Sequence, residues 1–130
     1  MSTLRVTNVQ DTSGGNSLTT AQIYSGAAKA WVNFNGQGVV AIRTQFNVSS
    51  ITDNATGDYT TTFTTAFSDA NYCTIASCST SNGLYLEFAV NLYDQPNGVF
   101  VAPTTTGFRA TYYGQGAFRD PNHVMTAVFR

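Results

Sequence analysis

Residues 28 to 46 read AKAWVNFNGQGVVAIRTQF, from Ala28 to Phe46, and this stretch decides the fold. Ala28, Ala30, Val32 and Phe34 recur at the period of two that a half-buried strand requires. Asn35-Gly36-Gln37-Gly38 follows, with the glycine-rich composition of a hairpin turn. The next run sets Val40, Ile42, Thr44 and Phe46 on one side and Ala41, Arg43 and Gln45 on the other. Two alternating runs joined by a glycine turn predict an antiparallel hairpin with one face turned inward.

The same pattern continues in both directions. Val48 and Ile51 lead to Asp53-Asn54-Ala55-Thr56-Gly57-Asp58, a turn by composition, after which Tyr59, Thr61 and Phe63 alternate with Thr60 and Thr62. Tyr72 to Ser77 forms a further strand. Leu84 to Leu92 alternates most regularly, with leucine, phenylalanine and valine on one side and Tyr85, Glu87, Ala89 and Asn91 on the other. Val99 to Ala102, Phe108 to Tyr113 and Val124 to Phe129 complete about eight strands, punctuated by turns at Ser81-Asn82-Gly83 and Pro96-Asn97-Gly98. Trp31, Tyr59, Phe63, Tyr72, Phe88 and Phe108 are assigned to the core. No window of 11 to 18 residues carries a helical period. The fold class is therefore all-β, an antiparallel β-sandwich or jelly-roll-like domain over residues 28 to 130.

Residues 1 to 27 differ from the rest. They hold one aromatic, Tyr24, and the loop-like run Asp11-Thr12-Ser13-Gly14-Gly15-Asn16-Ser17. Leu4, Val6 and Val9 make one short apolar patch, too small to bury much surface by itself. The segment reads as an extended N-terminal arm for particle or inter-subunit attachment, with Leu4, Val6 and Val9 as its attachment residues.

Composition fits this picture. The chain has 130 residues, of which only 10% are charged and 42% are hydrophobic, with a net charge of −1. That length suits one domain with one core. Threonine, serine and asparagine together supply roughly a third of the residues. No basic excess is present to collect phosphates, so nucleic acid is not an expected partner. No run is long and apolar enough for membrane insertion, and MSTLRVTNVQ lacks the apolar core of an export signal.

Catalytic and metal chemistry find little footing. Six of the seven carboxylates, Asp11, Asp53, Asp58, Asp69, Asp94 and Asp120, stand in turn-like contexts where a carboxylate caps nearby backbone N–H groups. Asp120 and the single histidine, His123, are close in sequence and would be the pair to test for acid-base work. Cys73 and Cys78 are five apart, which on a strand places them on opposite faces as free thiols. No metal-ligand spacing occurs, and the Asp53–Asp58 loop misses the calcium-loop pattern. No catalytic, metal or cofactor-binding residue is assigned, and no cofactor is expected. Tyr85, Tyr93, Tyr113 and Phe118 lie off the core parity or near turns, and are the candidate surface-contact residues, suited to sugar or protein.

The segment AKAWVNFNGQGVVAIRTQFNVSSITDNATGDYTTTFTTAFSDANYC, Ala28 to Cys73, resembles a block found in tail-fibre-like and other structural proteins of tailed bacteriophages, notably phages of aquatic bacteria and cyanobacteria. TLRVTNVQDTSGG, Thr3 to Gly15, resembles the arm that precedes that block. Gln37 and Val39 stand where that family has threonine, and Thr61 where it has a more apolar residue. Thr74 to Arg130 carries no such likeness. The resemblance implies a non-enzymatic virion component, assembled in the bacterial host cytoplasm and forming a homotrimer. Its expected partners are itself, other virion proteins of the tail or the major capsid shell, and a host surface glycan or protein. A trimeric tail fibre or tail appendage is the first expectation, and a capsid decoration (cement) protein stabilising the head is the second. Oligomerisation would also shield the two exposed sheet edges of a small sandwich.

Overall fold

The computed structural model describes residues 3, 5–79, 89–94, 98–114 and 116–130, with the backbone alone for 89–91 and 93–94. In chain order the elements are β1 (Asn8–Gln10), β2 (Ser17–Thr19), α1 (Thr20–Gly26), β3 (Ala30–Asn35), β4 (Ala41–Phe46), β5 (Val48–Ala55), β6 (Asp58–Phe63) and β7 (Cys73–Cys78). There follow β8 (Ala89–Asn91), β9 (Tyr93–Asp94), β10 (Val99–Phe100), β11 (Gly107–Gly114), β12 (Ala117–Phe118) and β13 (Val124–Phe129). Two antiparallel sheets form the body. One runs β4-β3-β13-β7; the other runs β12-β11-β6-β5, with β8 along the far side of β11. The chain crosses repeatedly between them, so that β13, the last strand, is inserted between β3 and β7.

The inner faces meet as alternation demands. Ala30, Val32 and Phe34 of β3 and Val124 and Val128 of β13 pack against Tyr59 and Phe63 of β6 and Phe108, Ala110 and Tyr112 of β11. Ring contacts knit this layer, with Phe34 edge-on to Tyr59 at 5.2 Å and Phe63 at 4.6 Å from Phe67. Burying a side chain of this kind contributes about 1.5–3 kcal/mol. The all-β sandwich expected from the sequence is therefore the observed architecture.

Four details depart from the expected reading. Trp31 is not core: it stands on the outer face of β3, 37% exposed, between buried Ala30 and Val32. The face assigned to β4 is split by a β-bulge. Phe34 pairs with Ile42 but Asn33 pairs with Thr44, so Arg43 is the extra residue. A bulge of this kind reverses inside and outside along one strand. Ile42 therefore packs on the core, whereas Phe46 points outward. The Asp53–Asp58 turn shrinks to Thr56-Gly57, with Gly57 at φ +68°, because β5 runs on to Ala55 and β6 starts at Asp58. The arm, finally, is not an extended run. β1 and β2 form a small hairpin with Val9 opposite Leu18, and α1 follows directly.

That helix has a sequence cause. Thr19-Thr20-Ala21-Gln22 is a capping box: the Thr19 hydroxyl accepts from the Gln22 N–H at 3.1 Å and the Gln22 side chain accepts from the Thr19 N–H at 2.9 Å. Between the sheets, β4 passes into β5 through a single residue, Asn47, whose φ is +54°. Its Nδ2 donates to the carbonyls of Lys29 and Thr65 at 3.2 Å each, and its Oδ1 accepts from the Thr65 N–H at 2.8 Å. Asparagine suits this corner because it tolerates the left-handed region and its side chain replaces lost backbone pairing.

Candidate interaction surfaces

Four of the described carboxylates, Asp11, Asp58, Asp69 and Asp120, are engaged in holding the fold. Asp58 is fully buried and receives a forked pair of bonds from Arg109, Nε to Oδ1 at 2.8 Å and the terminal nitrogen to Oδ2 at 2.7 Å. Asp120 Oδ1 accepts from the Gly57 N–H at 2.6 Å and from the Tyr59 hydroxyl at 2.8 Å. Asp11 gathers Ser13, Gly15 and Asn16 around the β1–β2 loop, which lowers its pKa through the Asn16 and Ser13 bonds. Asp69 accepts from the Asn71 N–H and pairs with Arg130, whose hydrogen bond chiefly lowers its pKa. Burial, and then the charges of Asp120 and Asp58, raise the pKa of Asp53. Burial and the Asp120 bond also hold Tyr59 firmly protonated.

Asp120 thus faces Tyr59 and Gly57. His123 is exposed, and its backbone N–H donates to Ser79 Oγ at 3.0 Å. Among the described residues no group of three or more histidine, cysteine or acidic side chains could hold a metal. Cys73 and Cys78 are free thiols on opposite faces of β7, as their spacing requires. Burial pushes the Cys78 thiol up to about 12.

The expected surface residues separate. Tyr113 and Phe118 are cross-strand partners on β11 and β12, edge-to-face at 5.2 Å, with Tyr113 exposed. Tyr93 lies on β9 opposite Phe100, and its side chain is outside the described residues. Tyr85 and Leu4 lie outside them as well. Val6 and Val9 are exposed, in an arm whose helix buries no residue and whose hairpin is exposed throughout.

A larger surface lies on the outer face of the β4-β3-β13-β7 sheet. Facing partners align Phe46, Trp31, Ala127 and Ile75 in one row across all four strands. Met125 sits in the adjoining row, opposite Asn33 and Ser77. Phe46 is 53%, Ile75 59% and Met125 41% exposed, with Trp31 as given above. Sequence reasoning missed this row because it counted Trp31 with the inward aromatics and placed Phe46 with Ile42. The parity of Trp31 against Ala30, Val32 and Phe34 was the signal that could have found it.

Comparison with known proteins finds no match to any family model, curated sequence or solved structure. No helix among the described residues is long and apolar enough to cross a membrane.

Proposed function

We propose that this chain is a non-enzymatic structural component of a tailed-bacteriophage particle, a homotrimeric tail-fibre or tail-appendage protein that contacts the host surface. One observation carries the reading. An arm of more than twenty residues folds into a hairpin and a helix without burying a side chain, beside a sheet whose outer face is apolar. Surfaces of this kind serve assembly. The likeness of Ala28–Cys73 to phage structural proteins supports the same conclusion, as does the use of Asp58 and Asp120 as structural ties. The second reading, a capsid decoration protein, is favoured by the single two-sheet sandwich that the described residues form, a compact body suited to sit on a shell.

Purified particles test both. A few copies grouped at the tail in a whole-particle reconstruction, with host adsorption lost when the protein is missing, is the expected result. Hundreds of copies on the head, with heads that burst on heating when the protein is missing, would replace the first reading by the second. Absence from particles, or turnover of a glycan by the purified chain that vanishes in Asp120→Ala, would overturn both.

A further inference from the structure

The arm and the apolar sheet face belong to one chain, and among the described residues both stay largely exposed. A helix of seven residues is far below the length at which a helix holds itself in water, and a three-residue hairpin is no better. Tertiary packing must supply what their own hydrogen bonds do not. Yet Val9, Leu18, Ile23 and Tyr24 are all about half exposed or more.

The two surfaces match in size and character. Phe46, Trp31, Ile75 and Met125 present roughly 400 Å² of apolar area on the face, and the apolar residues of the arm present about the same. A patch of that size is ordinary on a monomer; two of them are not. If two copies each gave an arm to the other's face, each would bury roughly 800 Å², the amount a standard stable interface needs per partner; in a larger ring the same area is divided between two interfaces. Charge does not oppose the contact. From β1 through α1 the arm has one charged side chain, Asp11, and it is folded into the β1–β2 loop by Ser13 and Asn16. The two facing rows carry none, and the charge beside them, Arg43, is tied to Asn33 and Asn122.

The root of the arm also favours a neighbour. Only residues 27 to 29 separate α1 from β3. Lys29 clasps the helix end, donating to the Tyr24 carbonyl and lying 3.5 Å from the centre of the Tyr24 ring. The Lys29 backbone N–H is itself fixed to the Val128 carbonyl at 2.7 Å. This short, doubly held root keeps α1 at the rim of the sheet, while the Trp31 row stays uncovered.

We infer that copies of this chain associate by arm exchange, the β1–β2–α1 arm of one copy covering the Phe46–Trp31–Ile75 face of the next. The inference rests on the reading of the chain as an assembling component and names its first partner as a second copy. In a closed ring every arm finds a face, so neither of these two surfaces is left uncovered.

Two full-length variants test it by sedimentation and light scattering. Leu18→Asp spoils the arm and Ile75→Asp spoils the face; both positions are exposed, and near-ultraviolet circular dichroism reports folding. Should either lose its fold, Leu18→Gln or Ile75→Thr takes its place. The wild-type chain should be oligomeric at micromolar concentration, and each variant should associate at least about 100-fold more weakly. An equimolar mixture of the two variants should recover mixed species, because one supplies an intact arm and the other an intact face. A monomeric wild type, an arm variant as oligomeric as wild type, or two defective variants that do not rescue each other would overturn arm exchange. The second of these results, with Ile75→Asp defective, would show face-to-face packing instead. Particle incorporation is scored separately: a chain that enters particles but is monomeric in solution would refute the exchange and leave the structural role standing.

Discussion

Replacing Arg109 by methionine isolates the energetics of the most deeply held polar contact in the sandwich. Asp58 has no exposed side-chain surface, and Arg109 is about one-fifth exposed. The guanidinium meets both carboxylate oxygens, at 2.8 and 2.7 Å, while Asn54 Nδ2 lies 3.2 Å from Oδ1. Methionine keeps the length of the aliphatic stem but leaves the buried carboxylate to Asn54 and its remaining neighbours. Breaking one side of a buried pair costs about 3–5 kcal/mol, and the partial exposure of Arg109 argues for the lower end. For a domain with about 5–15 kcal/mol of total stability this is a large fraction. Urea unfolding of Arg109→Met should therefore show a midpoint far below wild type with an unchanged slope. The double variant Asp58→Leu/Arg109→Met should recover to within about 1 kcal/mol of wild type, since a buried pair replaced by apolar groups is often neutral. If Arg109→Met costs less than about 1 kcal/mol, Asp58 is reached by water and the burial argument fails.

Four further outcomes follow from the geometry. Gly107→Ala should destabilise the fold by more than about 3 kcal/mol, because a Cβ there would lie 2.2 Å from the Thr61 carbonyl oxygen of the paired strand; chemical denaturation measures it. Asn47→Ala should cost about 2–3 kcal/mol, losing the side-chain bonds at the corner and forcing alanine to positive φ, and Asn47→Gly should cost less. A thiol reagent should label the exposed Cys73 well before the half-buried Cys78; labelling of both at one rate in the folded chain would contradict the burial that raises the Cys78 pKa to about 12. Asp53→Asn should be slightly more stable than wild type at neutral pH. The raised pKa of Asp53 means that its stabilising, protonated form is present below 3.8 and lost as pH climbs, so the advantage should vanish in acid.

Strand parity was legible wherever the strands are regular. Tyr59, Thr61 and Phe63 are buried on β6 as their alternation requires, and β13 has the bounds Val124–Phe129 that the sequence implies. Irregularities were less visible. A bulge at Arg43 adds one residue without any change in composition, so Phe46 could not be separated from Ile42 by counting. The capping box at Thr19–Gln22 was written in the sequence, but its helix is too short to show a period. Asp58 resembled a turn residue because it follows Gly57, and its forked pair with Arg109 joins residues 51 positions apart, beyond the reach of local pattern. The apolar row depends on which strands are neighbours, and the placement of β13 between β3 and β7 has no local signature.

The Asn47 corner joins the two layers with no slack, so one end of the sandwich behaves like the spine of a book. Its layers cannot slide past each other there without rupturing the Lys29 and Thr65 bonds. Breathing of the body should then begin away from the spine. Amide exchange should find the slowest protons in β3, β5 and β6 beside it, where a bound neighbour could brace against a part that does not yield.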